Sequence, residues 1–427
     1  MSEISDLEQA LLIAAADADS RAYEPVKTSE SAEYGLEKET TESEINLEPQ
    51  PKVKPKKRSL EPNDTSESLS KIRKGYADVV ASHYNSLEEK GIIERSKSRI
   101  VYLRNFHNWI KSMLINEYLA KVKENKKQHN APVRVHDMCC GKGGDLLKWR
   151  KGGITHLICS DIASISLEQC KARYYHMKGR SARERGGGNI YSIEYICADC
   201  TRARLREKYS DPSMKIDLVS CQFAFHYSFE SLPQAECMLR NAAECLQPGG
   251  YFIGTITDAY DLIARARRSE SDTYGNNIYK VSLDFDIDKP PLFGAKCHFQ
   301  LEDVVDCPEF LVHFPTLVKL AKKFGLKLVK TEKFKDYFER MKNEGKQLLT
   351  IMRALESYPP NEGHSSLGEE SDDYKHAEEF LKEKGNGQDK VGTMSKSEWE
   401  ASSIYTTFVF EKVKNTWSAD GTPIYDI

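Results

Sequence analysis

Val133-Arg-Val-His-Asp-Met-Cys-Cys-Gly-Lys-Gly-Gly-Asp145 decides the fold. A short apolar run closes on Asp137, and Gly141, Gly143 and Gly144 follow within a few residues, just before a stretch of helical texture. A strand that breaks at glycines and resumes as a helix turns tightly, lets a ligand approach the backbone, and offers free amides at the helix N-terminus. The glycines alone carry little. Their context carries more, because Asp161 closes the next apolar run about 20 residues on, where a carboxylate meets ribose hydroxyls.

Outward from this turn, the chain alternates. Strands are expected at 133–138, 156–161, 191–199, 215–225 and 251–257, with helices from Gly144, Ser164 and Ser231 between them. That spacing predicts an α/β fold with a doubly wound, mostly parallel sheet. Upstream, Tyr76, Val79, Val80, His83 and Tyr84 share one helical face, and a longer pattern runs from Ile100 through Phe106 and Trp109 to Leu114, so two helices precede the first strand. Downstream, strand-like segments at 277–285 and 292–301 and the run Pro308-Glu-Phe-Leu-Val312 precede an amphipathic helix at 314–324. Strands are expected at 326–330 and 402–413. Between them lies a polar stretch with the acids Glu369, Glu370, Asp372 and Asp373, read as an inserted helical lobe around 340–395 with a mobile loop.

The 427 residues suffice for one large or two ordinary domains with tails. Residues 1–50 carry −10, residues 51–75 carry +5 and the remainder only +2, so the folded part is not a generically basic nucleic-acid binder and any such contact needs a local patch. Residues 1–75, rich in Glu, Ser, Thr, Pro and Lys, are expected to be a disordered tail. It holds Lys52, Lys54, Lys56, Lys57 and Arg58, then Lys71, Arg73 and Lys74, clusters that suit a nuclear-import receptor or else a solvated linker. Residues 76–415 form the expected domain and 416–427 a short tail. Leu11 to Ala16 lacks a cationic flank and is followed by acids, so neither a signal peptide nor a membrane span is expected there. The 11 cysteines, odd in number and mostly in apolar runs, read as reduced thiols of a cytosolic or nuclear protein. Cys197-Ala-Asp-Cys200 has no second pair at zinc-finger spacing, so no metal site is expected.

Both nicotinamide dinucleotides and S-adenosylmethionine use such a glycine turn. Here Asp199 closes the third strand, Gln222, Phe223, His226 and Tyr227 follow the fourth, and Pro248-Gly-Gly250 leads into the fifth. This order resembles the Rossmann-like S-adenosylmethionine-dependent methyltransferases. Further segments resemble the eukaryotic mRNA cap guanine-N7 methyltransferases from Val80 to Val413: Val80-Ala-Ser-His-Tyr-Asn85, Ser98-Arg-Ile-Val-Tyr-Leu-Arg-Asn-Phe106, Cys140-Gly-Lys-Gly-Gly-Asp-Leu-Leu-Lys-Trp149, Cys221-Gln-Phe-Ala-Phe-His-Tyr-Ser-Phe-Glu230, Pro248-Gly-Gly-Tyr-Phe-Ile-Gly-Thr255, Pro308-Glu-Phe-Leu-Val312 and Ser395-Lys-Ser-Glu-Trp-Glu400. Two positions depart from the family: Cys139 stands at its first glycine, and His107 where Asn is usual.

The resemblance implies a cofactor site of Lys111, Cys139, Asp161, Asp199, Gln222 and Tyr227, with Lys111 on the methionine carboxylate, Asp161 on the ribose and Asp199 on the adenine edge. It implies a cap site of His107, Asn108, Lys142, Lys148, Arg173, His226, Glu309 and Tyr405. Glu309 suits guanine's N1 and exocyclic amine, Tyr405 offers a face to the purine, and the three cations offset triphosphate charge. Taken singly, Lys111 can be a solvated helix residue, Glu309 a turn carboxylate, Tyr405 a strand aromatic and His226 a satisfied core histidine. Guanine N7 has an available lone pair at neutral pH, so no catalytic acid, base or metal is assigned, and His226 and Tyr227 are read as positioning residues. The implied partners are 5′-capped RNA, a small activating subunit and the RNA polymerase II machinery, with no membrane and a nuclear location. Two rivals remain: a catalytically silent cap-binding scaffold, and a methyltransferase of the same fold with another substrate.

Overall fold

The computed structural model describes residues 75–87, 97–126, 131–183, 190–385, 389–417 and 424. Both basic clusters and nearly all of the expected tail lie outside them. Two helices come first, α1 (Ala77–Ser86) and α2 (Val101–Glu124). The sheet core follows: β1 (Arg134–Met138), α3 (Leu146–Lys151), β2 (His156–Asp161), α4 (Ser164–Ser181), β3 (Ser192–Cys197), β4 (Ile216–Gln222), α5 (Leu232–Ala243), β5 (Leu246–Thr257) and α6 (Ala259–Ser269). After an antiparallel insertion come α7 (Phe314–Lys323), β10 (Leu326–Lys333), a polar lobe, and β13 (Tyr405–Lys412).

Seven strands stand in the order β10-β13-β5-β4-β1-β2-β3. The five from β5 to β3 pair parallel, and β13 runs antiparallel between β5 and β10. The expected doubly wound, mostly parallel α/β sheet is therefore the observed one. Its inner strands are buried on both faces, and each face has its own core. Trp109, Ile110 and Leu114 of α2 pack with Trp149 and Leu157 on one side, while Phe225, Leu239, Phe252 and Phe408 fill the other.

Several boundaries move for identifiable reasons. The helix expected from Gly144 begins at Leu146, because Gly141 and Gly143 hold positive φ of 52° and 75°. A Cβ at Gly143 would stand 2.7 Å from both Cys170 Sγ and Leu146 Cδ1, so only glycine fits that turn. β3 ends at Cys197, which leaves Asp199 in the following turn with its carboxylate accepting from the Thr201 amide and hydroxyl at 2.8 and 2.7 Å. The two strand-like segments expected after Thr257 belong to a separate four-stranded antiparallel sheet, β6 (Thr273–Gly275), β7 (Tyr279–Leu283), β8 (Lys296–Leu301) and β9 (Val305–Phe310).

The expected helical lobe is mixed. α8 (Phe334–Met341), α9 (Lys346–Ile351), α10 (Lys375–Lys384) and α11 (Lys396–Ser402) surround a small sheet of β11 (Glu356–Tyr358) and β12 (Val391–Thr393). Its acidic run is structured rather than a loose loop, since buried Asp373 accepts the amides of Glu370 and Ser397 at 3.0 Å each. Ser395 and Glu398 form a reciprocal cap on α11, and Glu398 also accepts the otherwise unpaired Leu103 amide in the first turn of α2. The tail expected from residue 416 is in part packed: Trp417 stacks on Phe324 with centroids 5.7 Å apart. Among the described residues no helix is long and apolar enough to cross a membrane.

Candidate active site

Strand β1 delivers Cys139 to the turn with φ of 56°, a left-handed conformation that costs an L-residue about 1 kcal/mol. Gly141 follows, where an added Cβ would meet open space and where the amide donates to Asp161 Oδ2 at 2.7 Å. Asp161 closes β2 and takes the Ala163 amide on Oδ1 at 2.8 Å. Burial pushes its carboxyl above the ordinary range, and those amides oppose the push. Each oxygen keeps lone-pair capacity for a further donor.

Beside this turn opens a cleft lined by Cys139, Ile162, Asp199, Ala224 and Tyr227, with Tyr76 and Val80 at the start of α1 on its rim. Tyr227 shares a hydrogen bond with Tyr84 of α1 at 3.1 Å and contacts Cys307 Sγ at 3.3 Å. Gln222 is turned back into the sheet, donating to Ser220 Oγ at 3.0 Å and accepting from Thr255 Oγ1 at 3.2 Å. Lys111 reaches over the turn from α2 and pairs with Asp145 Oδ1 at 2.9 Å.

Lys148 shares that partner. Its ammonium is buried, 2.8 Å from Asp145 Oδ1 and 3.1 Å from the Gly144 carbonyl, and it also donates to Asn108 Oδ1. Burial works against the Asp145 charge, but the two ammoniums together hold its carboxyl well below the usual carboxylate range. Burial also lowers Lys148 itself. The expected trio of phosphate cations is thus divided: Lys148 sits inside an ion-paired knot under the glycine turn, while Lys142 bonds the Leu87 carbonyl at 3.0 Å and Arg173 lies along α4.

Past the end of β4, four rings converge from four elements. His107 of α2 stacks on Phe223 at 5.4 Å, and Tyr405 at the start of β13 meets the edges of both, at 5.0 and 5.1 Å, while stacking on Phe334 of α8. Burial, helped by the Lys111 charge, pushes His107 down to about 3, so this ring is neutral at physiological pH. Phe223 is the residue that the sequence mentions without a role; its φ of 57° turns it out of the strand into the ring cluster. No composition signal marks a positive φ at phenylalanine.

Next to these rings, His226 Nε2 lies 3.3 Å from Glu309 Oε1, and both side chains are buried. Neither ring nitrogen of His226 has a hydrogen-bond partner. A core histidine held for stability would be paired. This one makes no hydrogen bond, and its Nε2 faces the carboxylate that β9 brings from the antiparallel insertion.

The profile of the mRNA (guanine-N(7))-methyltransferase domain matches residues 67–413. The chain belongs to that family. It is 47% identical over 419 residues to the mRNA cap guanine-N(7) methyltransferase of Drosophila melanogaster, covering 95% of this chain and 96% of that one. The Schizosaccharomyces pombe mRNA cap guanine-N(7) methyltransferase is 33% identical over 345 residues, 78% and 82% of the two chains. Among solved structures, the plantazolicin methyltransferase BamL matches with a TM-score of 0.39 at 12% identity over 79% and 96% of the chains. The protein is an S-adenosylmethionine-dependent mRNA cap guanine-N7 methyltransferase, and the scaffold reading finds no support. The described residues fit its cofactor: an open glycine turn, a two-oxygen acceptor in Asp161, and a cleft beside them with Asp199 on its wall.

Proposed function

We propose that the cap guanine enters the space bounded by Phe223, Tyr405, His226 and Glu309, and that Asp161, Asp199 and Lys111 hold the cofactor from the opposite side of Tyr227. The buried His226 ring, set against the Glu309 carboxylate without a hydrogen bond, carries this reading, because two buried polar groups without a full set of partners suit a ligand that presents donors and acceptors together. Bound S-adenosylmethionine supplies an electrophilic methyl on a sulfonium. Guanine N7 is already a nucleophile, so the protein's task is alignment. Glu309 accepts from the guanine edge, the aromatic rings fix the purine plane, and His226 holds the base in register without receiving a proton. Asp161 accepts the ribose hydroxyls with the lone pairs its amide donors leave over, while Lys111 turns from Asp145 toward the methionine carboxylate. Lys142 and Arg173 offset phosphate charge on the RNA side.

The basic clusters around Lys56 and Arg73 support nuclear import. The polar lobe at 340–395 is our proposed surface for a small activating subunit, and the N-terminal residues our proposed route of recruitment to RNA polymerase II machinery. GpppG- and GpppA-capped RNA incubated with labelled S-adenosylmethionine, then digested by nuclease, tests the site. Label on guanine N7 with both caps is expected. Label on adenosine or on ribose would overturn the placement of the guanine.

A further inference from the structure

Three thiols meet beneath the glycine turn: Cys140 of the turn itself, Cys159 in β2 and Cys170 in α4 have sulfurs all within 4.8 Å of one another. They are 19 and 11 residues apart in sequence, so no spacing announces them. The strand register brings them together, since Asp137 of β1 lies opposite Cys159 and the Cys140 amide donates to the Ser160 carbonyl at 3.1 Å. Cys170 Sγ closes the group from below, 2.7 Å from where a Gly143 Cβ would stand. Cys159 and Cys170 are buried, and Cys140 is half-buried. All three are free thiols.

We propose that Cys140, Cys159 and Cys170 form a binding site for a trivalent thiophilic metalloid, with arsenous acid as its simplest form. Geometry sets the coordination number. At a bond length to sulfur of about 2.3 Å, three sulfurs around one pyramidal atom stand about 3.5 Å apart, within the 4.8 Å that bounds their separations here. Among the described residues no fourth ligand atom joins the group, so a tetrahedral ion such as zinc lacks a protein ligand. Charge sets the element. Three thiolates around zinc leave a buried −1, and around cuprous copper −2, whereas around trivalent arsenic they leave no charge to desolvate. The reaction balances without an oxidant: three S–H and three As–O bonds break, three As–S bonds form, and three waters leave with arsenic still trivalent.

The test uses the full chain, reduced with a phosphine so that no competing thiol is present, and sodium arsenite. Native mass spectrometry should show one arsenic per chain with three hydrogens lost, and X-ray absorption should show a first shell of three sulfurs. Cys159→Ser and Cys170→Ser, which remove a ligand itself, should each weaken binding by more than the roughly 10–100-fold that loss of an outer-shell partner costs, while Cys245→Ser leaves it unchanged. Alkylation of the wild-type chain keeps the test open should a variant not fold: arsenite should protect Cys140, Cys159 and Cys170 alone. A shell of two sulfurs and one oxygen, an equal adduct in Cys159→Ser, no adduct in excess arsenite, or tighter binding of Zn²⁺ than of arsenite would each overturn the assignment.

Discussion

His226 Nε2 lies 3.3 Å from Glu309 Oε1, the histidine on the turn after β4 and the glutamate on a strand of a different sheet. In the proposed placement the parallel sheet supplies the cofactor side of the site, and the antiparallel insertion the carboxylate that meets the base. On that placement, guanine selectivity is expected to depend on the docking of β9 against the turn that carries His226.

Glu309→Gln keeps the shape at this junction but places a donor where guanine presents donors. The expected cost on guanine caps is about 1–3 kcal/mol, with reduced discrimination against ApppA. Equal losses on GpppA and ApppA, measured by competition binding, would move the guanine edge elsewhere.

Asp161→Ala should weaken S-adenosylhomocysteine binding by about 1.5–3 kcal/mol, the usual value of hydrogen bonds to a charged acceptor. Capped-RNA binding should change much less. Calorimetry with unchanged S-adenosylhomocysteine affinity would place the ribose away from this carboxylate.

Glu398 links α11 to α2, and burial pushes its carboxyl from 4.5 up to about 7. Between those values the folded chain keeps a proton that the unfolded chain has lost. Its contribution is thus fully present below about pH 4.5, falls as pH rises, and is gone above about pH 7, a change of roughly 3 kcal/mol. Glu398→Gln abolishes this titration. The melting temperature of the variant minus that of the wild type should rise steadily from pH 5 to pH 7.5, and a flat difference would mean that the carboxyl titrates normally.

The sheet was legible because parallel strands buried on both faces read as continuous apolar runs, and because Gly143 can be nothing else. Asp161 was legible for the same reason, being fixed to a strand end. The lobe was not, since its organising groups are polar: Asp373 and Glu398 are buried through backbone amides, which leave no periodic trace. Phe223 leaves no trace in the sequence, because its place among the rings follows from a positive φ. Lys148 is the opposite case. Its residue type suggested phosphate, whereas i,i+3 spacing to Asp145 on a short helix gave it a buried partner.

That burial separates two cations that sequence alone groups together. Lys148 is nearly enclosed and shares Asp145 with Lys111, so its removal leaves a buried carboxylate with one ammonium instead of two. Breaking a buried pair typically costs about 3–5 kcal/mol, and the surviving Lys111 contact places the expected loss toward the lower end. Lys148→Met, which keeps the aliphatic stem, should therefore lower the melting temperature and leave the salt dependence of capped-RNA binding nearly unchanged. Lys142→Ala gives up the hydrogen bond to the Leu87 carbonyl, an acceptor on the half-buried end of α1, and should cost less stability than Lys148→Met. It should reduce the slope of log affinity against log salt by about 1, since one fewer counterion is displaced. Thermal unfolding and binding at several ionic strengths, run on both variants, separate the two roles. A flattened salt slope in Lys148→Met at an unchanged melting temperature would show that this lysine leaves Asp145 for the RNA phosphates.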